Sequence, residues 1–157
     1  MTSTNALPFR GRGFTIGHIN SKSPLYAEVL DLREEILRKP LGLSLKNEDL
    51  GRDHTDTIFI ALHDDKVIAC LLLHHIDNDT VQLRAMAVYS EWQGKGIGSM
   101  LVASAEKSCS QNGYKKVLLH SRKVATGFYK NMGYNITSEE FTEVGIAHYI
   151  MEKVLAT

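Results

Sequence analysis

The chain reads as a mixed α/β (α+β) protein: one mostly antiparallel sheet of about six to seven strands, flanked by helices. Three observations carry that reading. First, apolar, β-rich runs at residues 58–62, 67–76 and 81–88 are separated only by Asp64-Asp65-Lys66 and by Asp77-Asn78-Asp79, links so short that neighbouring runs must fold back on one another. Second, a helix-periodic stretch at 97–112 is followed directly by an apolar run at 116–121, the order of a crossover that returns a strand parallel to the one before the helix. Third, 157 residues, 43% hydrophobic and 23% charged, suit a single domain, 1–157, with one real core.

The elements follow in order. Residues 1–13 are polar, carry Arg10 and Arg12, and read as a flexible tail. They hold no long apolar run, so neither a signal peptide nor a membrane span is read there, and a cytoplasmic location is expected. Residues 14–19 form a weak first strand. Ser23 suits an N-cap and Pro24 the first helical position. Leu25, Val29, Leu32, Ile36 and Leu37 then recur at three- and four-residue spacing, giving one apolar face until Pro40 and Gly42 stop the helix. Residues 43–56 are polar and irregular, a loop with a helical turn. In the central helix Ile97, Leu101, Ala105 and Cys109 mark the buried face, and Gly113 ends it. Residues 125–131 form a short helix closed by Gly133, and 134–143 and 146–154 are the last two strands.

Composition excludes several classes. Eighteen basic residues balance eighteen acidic ones, without the basic excess of a nucleic-acid binder. Cys70 and Cys109 both fall on apolar faces and read as buried thiols. His74 and His75 are adjacent on a strand and so face opposite sides, and no metal site is expected.

The most chemical segment runs from Met86 to Ser99. Gly94, Gly96 and Gly98 interrupt a polar link that opens the central helix. Such a turn lets the backbone approach a ligand and aims several N–H groups, with the helix's positive end, at one anion. Lys95 adds a full charge. The spacing is not that of a P-loop, and antiparallel hairpins precede it, unlike a dinucleotide-binding fingerprint.

Gln93-Gly94-Lys95-Gly96-Ile97-Gly98 matches in full the acyl-CoA signature [RQ]-x-x-G-x-[GA], and Leu83-Arg84-Ala85-Met86-Ala87-Val88 looks like the strand that leads into it. Downstream, Ala125-Thr126-Gly127-Phe128-Tyr129-Lys130-Asn131-Met132-Gly133-Tyr134 is similar to the motif A-x-x-F-Y-x-x-x-G-[FY], and residues 145–153 are similar to the same proteins' final strand. On these residues, about half of the chain, the sequence resembles the GNAT superfamily of N-acetyltransferases.

That resemblance implies a sheet splayed between its fourth and fifth strands, here 81–88 and 116–121, and an acetyl-CoA-dependent N-acetyltransferase. The CoA pyrophosphate is expected on the amides of Gly94, Lys95, Gly96, Ile97, Gly98 and Ser99, with Gln93 leading. Pantetheine is expected in the gap along Met86, Ala87 and Val88, where unpaired main-chain groups accept an added strand and an N–H polarises the thioester. Phe128 is expected to pack in the core or touch pantetheine. Tyr129 corresponds to the family's general acid, a phenol protonated at neutral pH. Where some members carry a glutamate base early in the fourth strand this chain has Gln82, so the proton path runs through ordered water or through His120 at the end of the fifth strand. Arg122 stands where many members have asparagine, so the resemblance implies an altered pantetheine hydrogen bond there. Arg33 and Arg84 are expected either to meet over the acceptor pocket, there to recognise a carboxylate or phosphate, or to be solvated or structural. A non-catalytic acyl-CoA sensor is the alternative that Gln82 leaves open. The amine acceptor is left open, no nucleic-acid or membrane partner is expected, and the last strands offer an edge for a homodimer.

Overall fold

Short links between apolar runs fold the chain into one nine-stranded sheet, seen in a computed structural model that describes residues 5–11 and 13–156. The strands are β1 (Asn5–Gly11), β2 (Phe14–Ile19), β3 (Thr57–His63), β4 (Lys66–His75), β5 (Thr80–Val88), β6 (Lys116–Arg122), β7 (Asn135–Ile136), β8 (Phe141–Glu143) and β9 (Ile146–Val154). They lie in the order β1-β2-β3-β4-β5-β6-β9-β7, with β8 also on β9. Every pairing is antiparallel except β5 with β6, the pair joined by the helical crossover.

Two differences from the sequence reading account for the higher strand count. Asn5–Gly11, read as part of the tail, pair with β2, while Met1–Thr4 and Arg12 of that tail lie outside the described residues. The single strand expected at 134–143 is two. Between β7 and β8 the Ser138 hydroxyl accepts the Ile150 amide at 2.8 Å, taking the bond that a ladder carbonyl would take. Because β9 carries β6 on one side and β7 and β8 on the other, the edge expected from the last strands falls to these two short ones.

Three helices flank the sheet: α1 (Tyr26–Arg33), α2 (Ile97–Gln111) and α3 (Thr126–Asn131). The first begins later than Ser23. That residue instead closes a lead-in turn, its hydroxyl accepting the Leu25 amide and its carbonyl the Tyr26 amide. Beyond Arg33 the backbone widens into a π turn over Glu34–Arg38, tightens over Lys39–Leu41, and stops at Gly42 with φ 71°. Val29 and Leu32 of α1 pack on one face of the sheet with Ile60, Cys70, Leu72 and Ala87. Leu101, Val102 and Ala105 of α2, with Tyr129 of α3, pack on the other with Leu71, Leu83 and Leu119. Among the described residues no helix is long and apolar enough to cross a membrane.

The functional geometry comes from one irregularity. β5 pairs with β6 only from Thr80↔Lys116 to Leu83↔Leu119, although both strands run on. Just past that point Ala85 adopts φ 53°, and the register with β4 shifts, so Ala85 and Met86 oppose Leu71 alone. This is a β-bulge, and the extra residue inverts the alternation of side chains. Val81 and Leu83 belong to the α2-side core, whereas Ala87 belongs to the α1-side core. The Cys70 thiol, which burial pushes up to about 12 and so keeps protonated, donates to the Ala85 carbonyl at 3.4 Å. A left-handed conformation is costly for a β-branched residue. Ala85→Val should therefore lower stability by about 1–2 kcal/mol, while Ala85→Gly should not, a contrast read by urea unfolding.

Candidate functional site

Beyond the bulge the main chain of β5 has an open edge. Tyr89 donates its amide to the Ile68 carbonyl at 3.1 Å, and Ala87 sits opposite Cys70, so the odd-numbered residues spend their backbone groups on β4. By alternation the N–H and C=O of Met86 and Val88 point toward the gap. The Val88 carbonyl there accepts the Gln93 side-chain amide at 2.8 Å, which fastens the glycine turn to the strand. Gly94 and Gly96 take φ 77° and 82°, the left-handed turn that only glycine adopts freely. The first intrahelical bond at the start of α2 runs from Met100 to Gly96. The amides of Ile97, Gly98 and Ser99 therefore have no helical carbonyl to donate to and form an anion-ready end. A Cβ on Gly98 would lie 3.5 Å from Phe128 Cζ and 3.6 Å from Met86 Cε, so Phe128 packs against the turn and the gap together. Lys95 Nζ lies 6.0 Å from the Trp92 ring, over its face.

Tyr129 and His120 approach the gap from opposite faces. Tyr129, 7% exposed in the α2-side core, has its hydroxyl 3.9 Å from Met86 Sδ and its ring edge-on to Phe128. Burial pushes its phenol above the ordinary range, so it holds its proton at any physiological pH. On β6, Val117 and Leu119 belong to that same core, which turns His120 and Arg122 to the α1 face. His120 Nδ1 lies 2.9 Å from Glu143 Oε1, and the imidazole stands edge-on to Phe141. The other Glu143 oxygen is 3.8 Å from His148 Nε2. A carboxylate on Nδ1 fixes the ring and leaves Nε2 for other work. Sequence reasoning missed Glu143, which reaches His120 only because the β8–β9 hairpin lays β9 beside β6. The available signal was the two-residue turn at Val144-Gly145, with φ 47° and 79°.

On the α1 face a cleft of about 430 Å³ opens between α1, the 43–56 loop, the ends of β5 and β6, and the β8–β9 turn. Arg33 and Arg84 do meet there, but on carboxylates. Arg33 Nη1 donates to Asp53 Oδ2 at 2.7 Å, and Arg84 donates through Nη2 to Asp53 Oδ1. Arg84 Nε reaches Asp56 Oδ2 at 2.8 Å, and His74 Nδ1 lies 2.6 Å from Asp56 Oδ1. The Tyr26 hydroxyl also donates to Asp53. Asp53 and Asp56 are 0% and 3% exposed. They lie in a segment whose sequence is merely polar, with no periodicity to mark them as buried. Gln82, where the family's base would stand, accepts Arg52 Nη2 at 2.7 Å.

Burial alone would raise the Asp53 carboxyl. The Tyr26 hydroxyl and the Arg33 and Arg84 guanidiniums outweigh that and hold it below the usual carboxylate value. Its contribution to stability is thus full above about pH 4, the unfolded value, and is lost as pH falls through the depressed folded value. Asp53→Ala strands the buried Arg33 guanidinium and leaves Arg84 on Asp56 alone, and should cost about 3–5 kcal/mol. Asp53→Asn should flatten the acid limb of a stability–pH curve measured by chemical denaturation.

A parted sheet, open main-chain groups along it, and a glycine turn at a helix start together fit the class of acyltransferases. The acetyltransferase (GNAT) family profile matches residues 25–134, and the chain belongs to that family. A Bacillus subtilis protein provisionally called an acetyltransferase is 26% identical over 137 residues, 86% of this chain and 92% of its own. The crystal structure of a provisionally named N-acetyltransferase from Lactobacillus plantarum superimposes with a TM-score of 0.79 at 25% identity, over 90% of this chain and 99% of that one. A GNAT family acetyltransferase from Elizabethkingia anophelis, solved with acetyl-CoA bound, shares the fold with a TM-score of 0.68 at 21% identity, over 92% and 100% of the two chains. Some matches are shorter: an uncharacterized Bacillus subtilis protein is 32% identical over 77 residues, 49% of this chain and 52% of its own length.

Proposed function

We propose that the protein is an acetyl-CoA-dependent N-acetyltransferase in which a free amine attacks the bound thioester directly, both substrates being held at once. The observation that carries this reading is the placement of His120 and Tyr129 on opposite faces of the β5–β6 gap, one oriented by Glu143 and the other kept protonated by burial. Ile97, Gly98 and Ser99 would hold the donor's pyrophosphate, and the main chain of Met86 and Val88 its pantetheine arm. The Met86 or Val88 amide would donate to the thioester oxygen as negative charge develops there. His120 would take the proton of the attacking amine. As the carbon–sulfur bond breaks, Tyr129 would hand its phenolic proton to the departing thiolate. Orientation of the two reactants, with oxyanion stabilisation, would supply most of the rate.

The His120–Glu143 pair favours an enzyme over the non-catalytic sensor that Gln82 left open, because it supplies a candidate base from another strand. Tyr129→Phe should lower kcat by roughly a hundredfold and leave acetyl-CoA affinity near wild type, measured by steady-state kinetics beside calorimetry. Unchanged turnover would remove the acid role. Gly96→Val should abolish acetyl-CoA binding, since a β-branched residue resists the φ of 82° that the turn requires. Normal calorimetric binding by that variant would refute the pyrophosphate assignment.

A further inference from the structure

We propose that Arg122 recognises an anionic group on the acceptor, so that the amine acetylated by this protein also carries a carboxylate. The inference rests on the acetyltransferase reading above and names the substrate class of the same cleft.

Five arginines line the cleft, and they divide by partner. Arg33 and Arg84 are matched by Asp53 and Asp56. Arg38 is matched by Glu48 through both carboxylate oxygens, at 2.6 and 3.1 Å. Arg52 and Arg122 form no ion pair among the described residues. Arg52, bonded to the neutral Gln82 amide, is exposed.

Arg122 differs because it is half-buried. Its Nη2 donates to the Leu37 carbonyl at 2.9 Å, and Arg38 Nη1 donates to the same oxygen at 3.0 Å. Two guanidiniums thus converge on one carbonyl at the π turn that ends the first helix, and the single carboxylate of Glu48 is bound to Arg38 alone. The balance is one positive charge without a counter-ion at the wall of a polar cleft. Burial draws the Arg122 guanidinium below the ordinary arginine value, and Arg38 adds to that, so the charge is held at a cost an incoming anion would relieve. A guanidinium fork matches a carboxylate in both shape and charge. Arg122 also stands two residues from His120 on the same face of β6, one strand repeat of about 7 Å. An acceptor whose amine meets His120 therefore brings its carboxylate within reach of Arg122.

The test is steady-state kinetics with acetyl-CoA and a panel of α-amino acids, β-alanine and γ-aminobutyrate, each against its own carboxamide, with alkylamines and polyamines alongside. At least one acid should exceed its amide in kcat/KM by about tenfold or more. Arg122→Gln should erase that ratio through the acid's KM, and Arg122→Lys should restore part of it, while calorimetry reports acetyl-CoA affinity and thermal unfolding reports the fold. The proposal is overturned if the wild type prefers amides or plain amines, if Arg122→Gln weakens acid and amide alike, or if acetyl-CoA affinity falls instead. Turnover of neutral amines alone sinks only this inference. A wild-type protein that binds no acetyl-CoA sinks the transferase reading and this one with it.

Discussion

One extra residue in β5 governs the site. Up to Leu83 the strand is paired on both sides, and regular pairing would carry it to Val88 with β6 alongside. The bulge at Ala85 and Met86 reverses the pleat, so the inner residues of β5 change face and the amides of Met86 and Val88 turn to an edge with no neighbour. β6 cannot follow. It is held by an unbroken antiparallel ladder to β9 from Lys116↔Val154 to Arg122↔His148. One strand stays with β4, its neighbour stays with β9, and the sheet parts between them. The left-handed Ala85 costs on the order of 1 kcal/mol, which the Cys70 thiol offsets in part by satisfying the carbonyl that the bulge turns away from the ladder.

The loop side of the cleft is held by charge rather than by apolar packing. The 43–56 loop has only two short 3₁₀ turns, and it is pinned where Asp53 and Asp56 enter the protein beneath it. Burying two carboxylates with two guanidiniums is not an efficient way to add stability, because each ion loses several kcal/mol of hydration. What the arrangement supplies is position. Asp53 ties the loop to Tyr26 and Arg33 of α1 and to Arg84 of β5, and Asp56 ties it to Arg84 and to His74 of β4. The same bonds take Arg33 and Arg84 out of contention for a ligand's charge, which shifts attention to the arginines whose partners are neutral.

What was legible in the sequence follows from the range of the interactions concerned. β2 to β6 and α2 rest on local periodicity and short links, and they stand within a residue or two of where the residues predict them. The glycine turn and Tyr129 sit in contiguous motifs, and their surroundings are built by their own neighbours in the chain. The strands misplaced were decided by partners far away. Ser138 breaks a strand through Ile150, and Asn5–Gly11 form a strand because β2 has a free edge. Glu143 acquires its meaning from a histidine 23 residues earlier, and Asp53 from an arginine 20 residues earlier. A single carboxylate in a polar stretch carries no periodic signal, so a surface charge and a buried anchor look alike until the fold is known.

The parted sheet also separates the two proton transfers of the proposed reaction. Here Tyr129, though it also lines the cleft, is almost wholly buried in the α2-side core, whereas His120 is half-buried with Glu143 on Nδ1. In the proposed reaction the gap between them would be where the acid and the base act on one bond. Because His120 lies on β6 and the amides that would receive the thioester oxygen lie on β5, their spacing is set by the width of the gap. The bulge that opens the sheet would therefore fix both the donor's path and the distance over which the amine's proton is removed.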